Sequence, residues 1–467
     1  MDTPQRPLYA PGALAPLLRP RSIAIVGASD RPGSLGARAL ANLAGYEGTV
    51  FPVSERLSEI AGRRCYPRLS ALPEAPDCVV LAIPAAVIET VLAECAAAGA
   101  RAAVVFASGY AELQTAEGLA AQSALSRIAR EADLRLVGPN TTGFANLVTG
   151  AHCGFAEFPH GYRPSRGAVA IVSQSGAMGL GLSQAAEHGV SISHVLTAGN
   201  SADVDVADFL AALAVEPEVR AVALAFEGVA SPERLEEAAR AVAAAGKPVA
   251  AIKLGRSAAG AAAARWHTAS DTGDAARWSD LFARCGVVEV TDLARLIETA
   301  AFLAKAADLP RPAAAPAVAI LSSSGGMGIL AADAAARHGI ATPQPSDGTA
   351  RALAAHLPAF GSPRNPCDAT AQATSYPESL VRCADALLAD PRFDALVLPW
   401  GKAWVSPCFD ALSEVAASHG KPLCLVWMSQ WLEGPGAVEA ERLERVSVFR
   451  SLDGCMAALR ARTLRRD

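Results

Sequence analysis

One histidine in this chain has neighbours that suggest chemistry. His267 lies in the stretch AARWHTASDTG at 263–273, between a run of alanines and a polar turn that ends in glycine. A histidine in such a place is usually a solvated residue at a helix end. However, a neutral imidazole can take a phosphoryl group on one ring nitrogen when an acceptor holds the N–H of the other. Glu227, at the predicted end of the strand in VALAFEGV, is a candidate acceptor and otherwise an ordinary solvated loop acid.

Two similar Ser-Gly loops are candidates for holding an oxyanion. VAIVSQSGAMG at 169–179 and VAILSSSGGMG at 318–328 match at eight of eleven positions. Backbone N–H groups at the start of a helix can hold a phosphate, although a single such loop is more often plain turn chemistry. Two near-identical loops on duplicated units predict a site where two helix dipoles stabilise a dianion. The residues concerned are Ser175 and Gly176 in the first loop and Ser324 and Gly325 in the second.

A third glycine-rich loop lies near the N-terminus. IAIVGASDRPGSLGARAL places Gly27, Gly33 and Gly36 between a predicted strand and a predicted helix, where a backbone can approach a pyrophosphate closely. The spacing is looser than GxGxxG, and no Gly-Lys-Ser/Thr follows, so the loop is not a Walker A motif. An NAD site would need an acid at the end of the second strand. Only Glu55 is available there, so an NAD-dependent oxidoreductase is the weakest interpretation.

The elements that must position these residues alternate along the whole chain. Short β-branched runs are followed by longer alanine-rich amphipathic segments, which is typical of parallel α/β domains. The segment ADLPRPAAAPA reads as a linker, and a weaker boundary falls within 147–167. We predict an α/β protein with a Rossmann-like domain over 1–150, a flavodoxin-like domain over 151–306, a linker over 307–317 and a second flavodoxin-like domain over 318–467.

Composition excludes several other classes of protein. Hydrophobic residues make up 51% of the 467 residues and charged residues 19%, so the chain can bury several cores. The net charge of −5 argues against nucleic-acid binding by phosphate neutralisation. No apolar run approaches the roughly 18 to 20 residues of a membrane span, and no signal peptide is evident. The ten cysteines have no zinc-site spacing, so we expect free, buried thiols, no metal site and a cytoplasmic location.

Together these motifs resemble the α subunit of NDP-forming acyl-CoA synthetases, best known as ADP-forming acetate–CoA ligases, in the succinyl-CoA synthetase superfamily. The resemblance covers nearly the whole chain. It rests on VGASDRPGSLG, GRRCYPRLSALPEAPDCVVLAIP, FASGYAE, VGPNTTG, IVSQSGAMG, TAGNSADVDVADFL, FEGV, WHTASDTG, SSSGGMG and NPCDAT. It implies a CoA-binding Rossmann-like domain followed by two succinyl-CoA synthetase-like ligase domains.

The resemblance also assigns roles. It implies that the first domain binds coenzyme A through Gly27, Ser29, Gly33 and Gly36 with help from Pro84, and that Asn140 lies near the phosphoryl site. The histidine matching His267 becomes phosphorylated and Glu227 steadies the phosphohistidine. Ser175 and Gly176 then hold the phosphate from one helix, with Ser324 and Gly325 as counterparts on the other. The implied reaction passes through an acyl phosphate and a phosphohistidine.

The sequence departs from the family pattern in places. Trp266 and Ala269 flank His267-Thr268 where the family has serine and glycine. Ser54-Glu55 replaces Asn-Pro, and Ser201 replaces a lysine. These departures favour an alternative, a non-catalytic regulatory paralogue that binds CoA or acyl-CoA.

No stretch resembles the ATP-grasp domain of the family. We therefore expect a separate ATP-grasp β subunit that binds ADP or ATP with Mg²⁺, in a heteromer of α2β2 type. The carboxylic acid is not indicated by any of these motifs.

Overall fold

The first sheet follows an N-terminal segment that ends in a short helix. The computed structural model describes residues 6–158, 162–165, 168–268, 274–312, 314–374 and 376–463, with the backbone alone for 265–268, 373 and 374. The elements here are α1 (Ala15–Leu18), β1 (Ser22–Val26), α2 (Leu35–Asn42), β2 (Thr49–Val53), β3 (Glu59–Ile60), β4 (Arg63–Arg64), β5 (Cys78–Leu81), α3 (Ala85–Ala97), β6 (Ala102–Val105), α4 (Ala116–Glu131) and β7 (Arg135–Val137). Turns of 3₁₀ helix occur at Pro11–Leu14, Leu69–Ala71 and Ala111–Leu113.

Five of these strands pair in parallel in the order β2-β1-β5-β6-β7, and β3 and β4 form a separate ribbon. Neighbouring residues of one strand belong to two different hydrophobic clusters, because successive side chains point to opposite faces. In β1, for example, Ile23 and Ile25 join one cluster and Ala24 the other. Burial on both faces explains why the strands read as continuous apolar runs.

The second sheet begins with a hairpin that the sequence analysis did not recognise. Its elements are β8 (Gly143–Asn146), β9 (Ala151–Gly154), β10 (Ala168–Ser173), α5 (Gly176–Ser183), β11 (Ile192–Thr197), α6 (Val206–Ala212), β12 (Val219–Phe226), α7 (Pro232–Ala244), β13 (Val249–Lys253), α8 (Ala258–Thr268), α9 (Ala275–Arg284) and β14 (Val288–Glu289). Turns of 3₁₀ helix occur at Gln184–His188 and Leu213–Val215.

The strand order is β14-β13-β12-β10-β11-β8-β9, parallel from β14 to β11, with β8 antiparallel to β11 and to β9. The expected boundary at residue 150 falls between β8 and β9. Since both strands pair within the second sheet, the chain has entered that sheet by Gly143.

The third sheet is entirely parallel, in the order β16-β15-β17-β18-β19. Its elements are α10 (Leu293–Lys305), β15 (Val318–Ser322), α11 (Gly325–Arg337), α12 (Asp347–Ala354), β16 (Cys367–Asp368), α13 (Pro377–Ala389), β17 (Ala395–Trp400), α14 (Phe409–His419), β18 (Leu423–Trp427), α15 (Ala437–Arg442), β19 (Val446–Phe449) and α16 (Leu452–Ala461), with a 3₁₀ turn at Ala371–Thr374.

The helix α10 packs on β19 and α16 and belongs with the third sheet. The described residues fold as two units, one within 6–184 together with Ile192–Thr291, and one of Ala185–Ser191 with 292–463. The division therefore falls before α10, whereas the sequence analysis put the end of the second domain at residue 306. The apolar face of α10 needs the third sheet for burial, and the proline-rich linker signal did not reveal this.

All three sheets share one topology. Numbered by their order within each domain, the five parallel strands run 2-1-3-4-5 in every case. In such sheets the helices after strands one and three leave in opposite directions, so a crevice opens between these strands at their carboxyl ends. The three predicted loops, which contain Gly27, Ser175 and Ser324, all follow strand one. The topology therefore places each loop at a crevice.

Two predictions made from the sequence concern membrane spans and metal sites. Among the described residues no helix is both long and apolar enough to cross a membrane, and no three His, Cys, Asp or Glu side chains are grouped as a metal site requires. All ten cysteines are unbonded and buried, as the sequence predicted.

Candidate functional site

The second crevice begins where α5 starts. Ser175 is the N-cap of α5, and its Oγ accepts a hydrogen bond from Met178 N at 3.4 Å. The residue after Ser175 is glycine because Thr142 leaves no room for a side chain: a Cβ at Gly176 would lie 2.6 Å from the Thr142 Cγ2 atom. The first N–H groups of the helix therefore form a small positive site bordered by Thr142.

Glu227 follows β12 on the other side of this crevice. The backbone of Glu227 is held by the side chain of Gln174, the residue before Ser175. Gln174 Oε1 accepts the N–H of Glu227 at 2.9 Å and the N–H of Gly228 at 3.2 Å. The Glu227 side chain is buried. One amide group thus ties the start of α5 to the turn that bears the predicted acid.

A buried lysine supports the same turn. Lys253 ends β13, and its Nζ donates to the carbonyl oxygens of Glu227 at 2.5 Å and of Leu254 at 2.6 Å. The ammonium group also lies 5.7 Å from the Phe226 ring and 5.6 Å from the Trp278 ring. These contacts satisfy a charge that burial would otherwise make costly.

His267 lies in the last turn of α8, the helix that follows β13. Its side chain, like those of Arg265, Trp266 and Thr268, lies outside the described residues, as does the whole of 269–273. The helix itself contacts the 3₁₀ turn at Ala111–Leu113 of the first sheet's domain. The backbone therefore brings the histidine-bearing helix to the junction of the first and second sheets.

Asn140 lies at this junction in a left-handed conformation with φ of 57°. Its Nδ2 donates to Asn200 Oδ1 at 3.2 Å, and Asn200 Nδ2 donates to Glu112 Oε2 at 2.5 Å. Burial opposes ionisation of Glu112, but N–H donors from Gly109 and Asn200 outweigh it and hold its pKa below the usual value. Glu112 also belongs to the turn that α8 contacts.

One glycine links this network to the second crevice. Gly199 donates its N–H to the carbonyl oxygen of Gln174 at 3.1 Å. Its φ is +59°, and a Cβ there would lie 2.6 Å from the Asn140 carbonyl oxygen. Asn140, Gly199 and Gln174 therefore form a continuous path of backbone contacts toward Glu227.

The first crevice contains the predicted CoA residues. Gly27 and Gly33 have φ of +85° and +79°, and a Cβ on Gly36 would collide with the Gly27 carbonyl oxygen. Ser29 Oγ accepts a hydrogen bond from Arg31 N at 3.0 Å, which shapes the turn. Pro84 is the N-cap of α3 after β5, the strand paired with β1. Both loops therefore border one crevice, with glycines where the backbone must approach closely.

The third crevice differs from the second despite the repeated sequence. Ser324 is the N-cap of α11 but makes no side-chain cap hydrogen bond. A Cβ on Gly325 would lie 3.1 Å from Asp368 Oδ2, so a carboxylate faces this helix start. Ser324 and Gly325 belong to the second folded unit.

Sequence reasoning missed several residues of these sites. Gln174 lies inside the recognised SQSG motif, but only the strand pairing shows that its amide reaches the end of β12. Lys253 sits in an apolar run, PVAAIKLG, where a lone lysine was a usable signal of a buried charge with a partner. Asn200 and Glu112 lie in two different recognised motifs and are 88 residues apart in the sequence, so their contact depends on the fold.

Comparison with known proteins supports the assignments made from motifs. Residues 21–146 match the family "CoA binding domain", residues 166–303 match "Succinyl-CoA ligase like flavodoxin domain" and residues 318–420 match "Ligase-CoA domain". A dinucleotide-forming acetyl-coenzyme A synthetase 1 from Candidatus Korarchaeum cryptofilum, solved with phosphate and ADP, superimposes with a TM-score of 0.82 at 27% identity, covering 96% of both chains.

Two curated relatives show the family. A trans-feruloyl-CoA synthase from an unidentified prokaryote is 35% identical over 82% of this chain, which spans 54% of that enzyme's length. The α subunit of ADP-forming acetate–CoA ligase II from Pyrococcus furiosus is 33% identical over 88% of this chain and 89% of its own length. The resemblance drawn from the motifs is confirmed, and the chain belongs to the family of acid–thiol ligases that contains the α subunits of ADP-forming acetate–CoA ligases.

Proposed function

We propose that this chain is the α subunit of an ADP-forming acyl-CoA synthetase, which interconverts acyl-CoA, ADP and phosphate with a carboxylic acid, CoA and ATP. The observation that supports this most directly is the bond network that holds the Glu227 turn beside the start of α5 through Gln174. An anion site and a buried carboxylate in one crevice are the groups that a phosphohistidine needs.

The proposed reaction has three steps. Phosphate attacks the thioester carbon, the C–S bond breaks, and CoA leaves as a thiolate while an acyl phosphate forms. A ring nitrogen of His267 then attacks phosphorus, the bond between phosphorus and the acyl oxygen breaks, and the carboxylate leaves. Phosphohistidine finally transfers its phosphoryl group to ADP, which restores the imidazole.

Different crevices contribute residues to different steps of this reaction. The first crevice, with Gly27 and Pro84, binds CoA. The N–H groups at Ser175 and Gly176 stabilise phosphoryl charge, and Glu227 accepts the second imidazole N–H so that the phosphorylated nitrogen is fixed. In the second unit, Ser324 and Gly325 supply the counterpart helix start.

The nucleotide step needs a partner in this proposal. An ATP-grasp β subunit binds ADP or ATP with Mg²⁺, and the two subunits form a heteromer of α2β2 type. The Pyrococcus furiosus relative is named as a subunit, which supports a partner for this chain as well.

A labelling experiment tests the proposal. The purified chain is mixed with acetyl-CoA and labelled phosphate, and the protein-bound label is measured. We expect label that is labile in acid and stable in base, none in His267→Ala, and strongly reduced labelling in Glu227→Gln. Glu233→Gln, at an exposed glutamate, is the matched control and retains the label.

Two outcomes would contradict the proposal. Label that persists in His267→Ala would exclude His267 as the carrier. Absence of label both alone and with the β subunit, in a chain that still binds CoA by calorimetry, would favour the alternative of a non-catalytic regulatory paralogue. The Trp266 and Ala269 substitutions beside His267 are the observation that favours this alternative.

A further inference from the structure

Two cavities share the side chain of His152. The outer cavity, of about 100 Å³, lies at the carboxyl end of α2, and its lining includes Asn42, Leu147, His152 and Phe158. The inner cavity, of about 10 Å³, also borders His152 and Phe158 and lies among α5, β8, β9 and β11. His152 and Phe158 thus form a shared wall of the two spaces.

The inner cavity is suited to a hydrocarbon group. Apolar side chains form most of its wall: Phe144, Ala145, Ala156, Phe158, Leu180 and Val195. The hydroxyl groups in the wall already have partners, because Thr197 Oγ1 donates to Gly143 O at 2.5 Å and Ser183 Oγ donates to Leu180 O at 2.7 Å. An occupant therefore needs no polar atom here, and a polar one would lack partners.

The inner cavity also reaches the proposed phosphoryl site. Thr142 lines the cavity, and the same side chain abuts Gly176 at the start of α5. Thr142 therefore adjoins both the cavity and the start of α5. By contrast, the outer cavity is at the opposite end of α2 from the glycine loop, about 12 Å away for an eight-residue helix.

His152 is held in place as a partition. Its side chain is buried, its Nε2 lies 3.5 Å from Asn42 Nδ2, and its ring packs edge-on against Phe158 with centroids 5.4 Å apart. Burial lowers its pKa to about 4, so the imidazole is uncharged at neutral pH. Asn42 Nδ2 also donates to the carbonyl oxygens of Gly154 and Ala156, both at 2.8 Å, so this frame does not depend on the imidazole.

We propose that the inner cavity takes the alkyl end of the acyl group and that His152 limits its length. This inference rests on the proposed function, because it places the acyl carbonyl at the start of α5. A cavity of this size holds about one water molecule or one methyl group. The chain is therefore built for acetyl and propionyl groups, and rings or longer chains meet the imidazole.

Substitution of His152 tests this assignment. Initial labelling of His267 is measured with acetyl-, propionyl-, butyryl- and benzoyl-CoA, in the wild type and in His152→Ala. Removing the ring joins the two cavities and provides space for two more methylene groups. We expect the butyryl-to-acetyl labelling ratio to rise about tenfold, which corresponds to about 1.4 kcal/mol. His152→Asn, which is smaller but polar, gives an intermediate ratio.

Leu147→Ala is the matched control. Leu147 lines only the outer cavity, so its truncation enlarges that space without opening the partition. We expect this variant to keep the wild-type order of substrates. An unchanged ratio in both His152 variants, or an equal change in Leu147→Ala, overturns the inference while leaving His267 as a phosphoryl carrier.

A direct measurement separates this inference from the proposed function. Propionate and phosphate are titrated into chain labelled with ¹³C-histidine, and the His152 ring signal is assigned from its loss in His152→Ala. A saturable shift of that signal, absent with phosphate alone, supports occupancy beside His152. If no acyl-CoA labels the chain or its complex with the β subunit, the proposed function fails. In that case an unshifted His152 signal overturns the cavity site as well.

Discussion

Gln174 Oε1 accepts the N–H of Glu227 at 2.9 Å, and so joins the residue before α5 to the residue after β12. Gln174→Leu keeps the size of the side chain but leaves the N–H groups of Glu227 and Gly228 without this acceptor. Each loss costs about 1–3 kcal/mol when the group stays buried, so we expect the turn to shift. Labelling of His267 should fall by about tenfold or more, the change that about 1.4 kcal/mol produces.

Gln344→Leu is the control for that variant. Gln344 also bonds the backbone of a turn, through Asn365 N at 3.2 Å and Asn365 O at 2.8 Å, but in the second unit. It should reduce the free energy of unfolding and leave labelling intact. Equal labelling in the two variants would mean that Gln174 has only a general structural role.

The glycine loop of the first crevice gives a second prediction. In Gly36→Ala the new Cβ meets the Gly27 carbonyl oxygen, so the turn between β1 and α2 must open. We expect CoA affinity to fall by at least about tenfold, measured by calorimetry. Gly62→Ala is the control: its φ of +73° is unfavourable for alanine, but open space surrounds the new Cβ and the residue lies outside the crevice loop. It should cost about 1 kcal/mol of stability and keep CoA binding.

Buried His194 predicts how stability changes with pH. Burial lowers its pKa to about 3, against 6.5 for a free histidine. The folded chain therefore excludes a proton that the unfolded chain binds. Stability is complete above pH 6.5 and is lost as pH falls toward 3, by about 2 kcal/mol between pH 6.5 and 5.0. His194→Gln cannot take up that proton and should lose about 2 kcal/mol less over this interval.

Urea unfolding at pH 6.5 and pH 5.0 measures this difference directly. The comparison is between the two pH-dependent changes, so a uniform destabilisation of the variant does not affect it. Identical changes in the wild type and in His194→Gln would show that His194 does not titrate in this interval.

The N-terminal segment is fixed by buried ion pairs, which give another prediction. Arg6 bonds Asp208 Oδ2 at 2.5 Å and lies 3.3 Å from Asp203 Oδ1, and its guanidinium stacks 3.7 Å from the Tyr9 ring centroid. Both aspartate side chains are completely buried. Arg6→Ala removes this cation, but Asp208 keeps its pair with Arg234 at 2.9 Å and Asp203 still accepts the Tyr9 hydroxyl at 2.7 Å. We therefore expect a loss of about 1–3 kcal/mol in the free energy of unfolding.

Arg240→Ala removes a pair of the opposite kind. Arg240 bonds Glu236 on the surface of α7, and exposed pairs contribute about 0.2–1 kcal/mol. The two variants should therefore differ clearly in urea unfolding. If Arg6→Ala proves as mild as Arg240→Ala, the N-terminal segment does not stabilise the first unit.

The two Ser-Gly loops should respond differently to loss of the hydroxyl. Ser175→Ala removes the cap of α5 and should cost about 1 kcal/mol in the free energy of unfolding, measured by urea unfolding. Ser324 makes no cap hydrogen bond, so Ser324→Ala should leave the free energy of unfolding unchanged. A stability loss in Ser324→Ala equal to that in Ser175→Ala would contradict this difference.

Sequence patterns predicted the parts of this protein that depend on local periodicity. The strands that precede Gly27, Ser175 and Ser324 are apolar runs followed by turn residues, so their positions could be predicted from the sequence. The hairpin β8–β9 was missed because antiparallel pairing with β11 is non-local, and β16 because it has only two residues. The placement of α10 also depends on packing rather than on its own composition.

The candidate site likewise combines residues that motifs predict with residues that only the fold reveals. The motifs name Glu227, Ser175 and Asn140, but the groups that hold them, Gln174 and Asn200, emerge only when the strands are aligned. His152 lies in a stretch that the sequence analysis treated as a domain boundary. A histidine that borders two cavities has no signal of its own in one sequence, because its role depends on the walls around it.

The shared strand order has a consequence for how the repeated domains could diverge. The residue that follows strand three of each sheet faces the crevice, and it is Glu227 in the second sheet and Gly401 in the third. A Cβ on Gly401 would lie 2.1 Å from Met327 Cε, so a side chain at Gly401 requires the flexible end of Met327 to move. The two copies therefore share the helix start but differ in the residue that follows strand three. The two halves could specialise independently, one keeping a carboxylate and the other free to change its neighbouring loops.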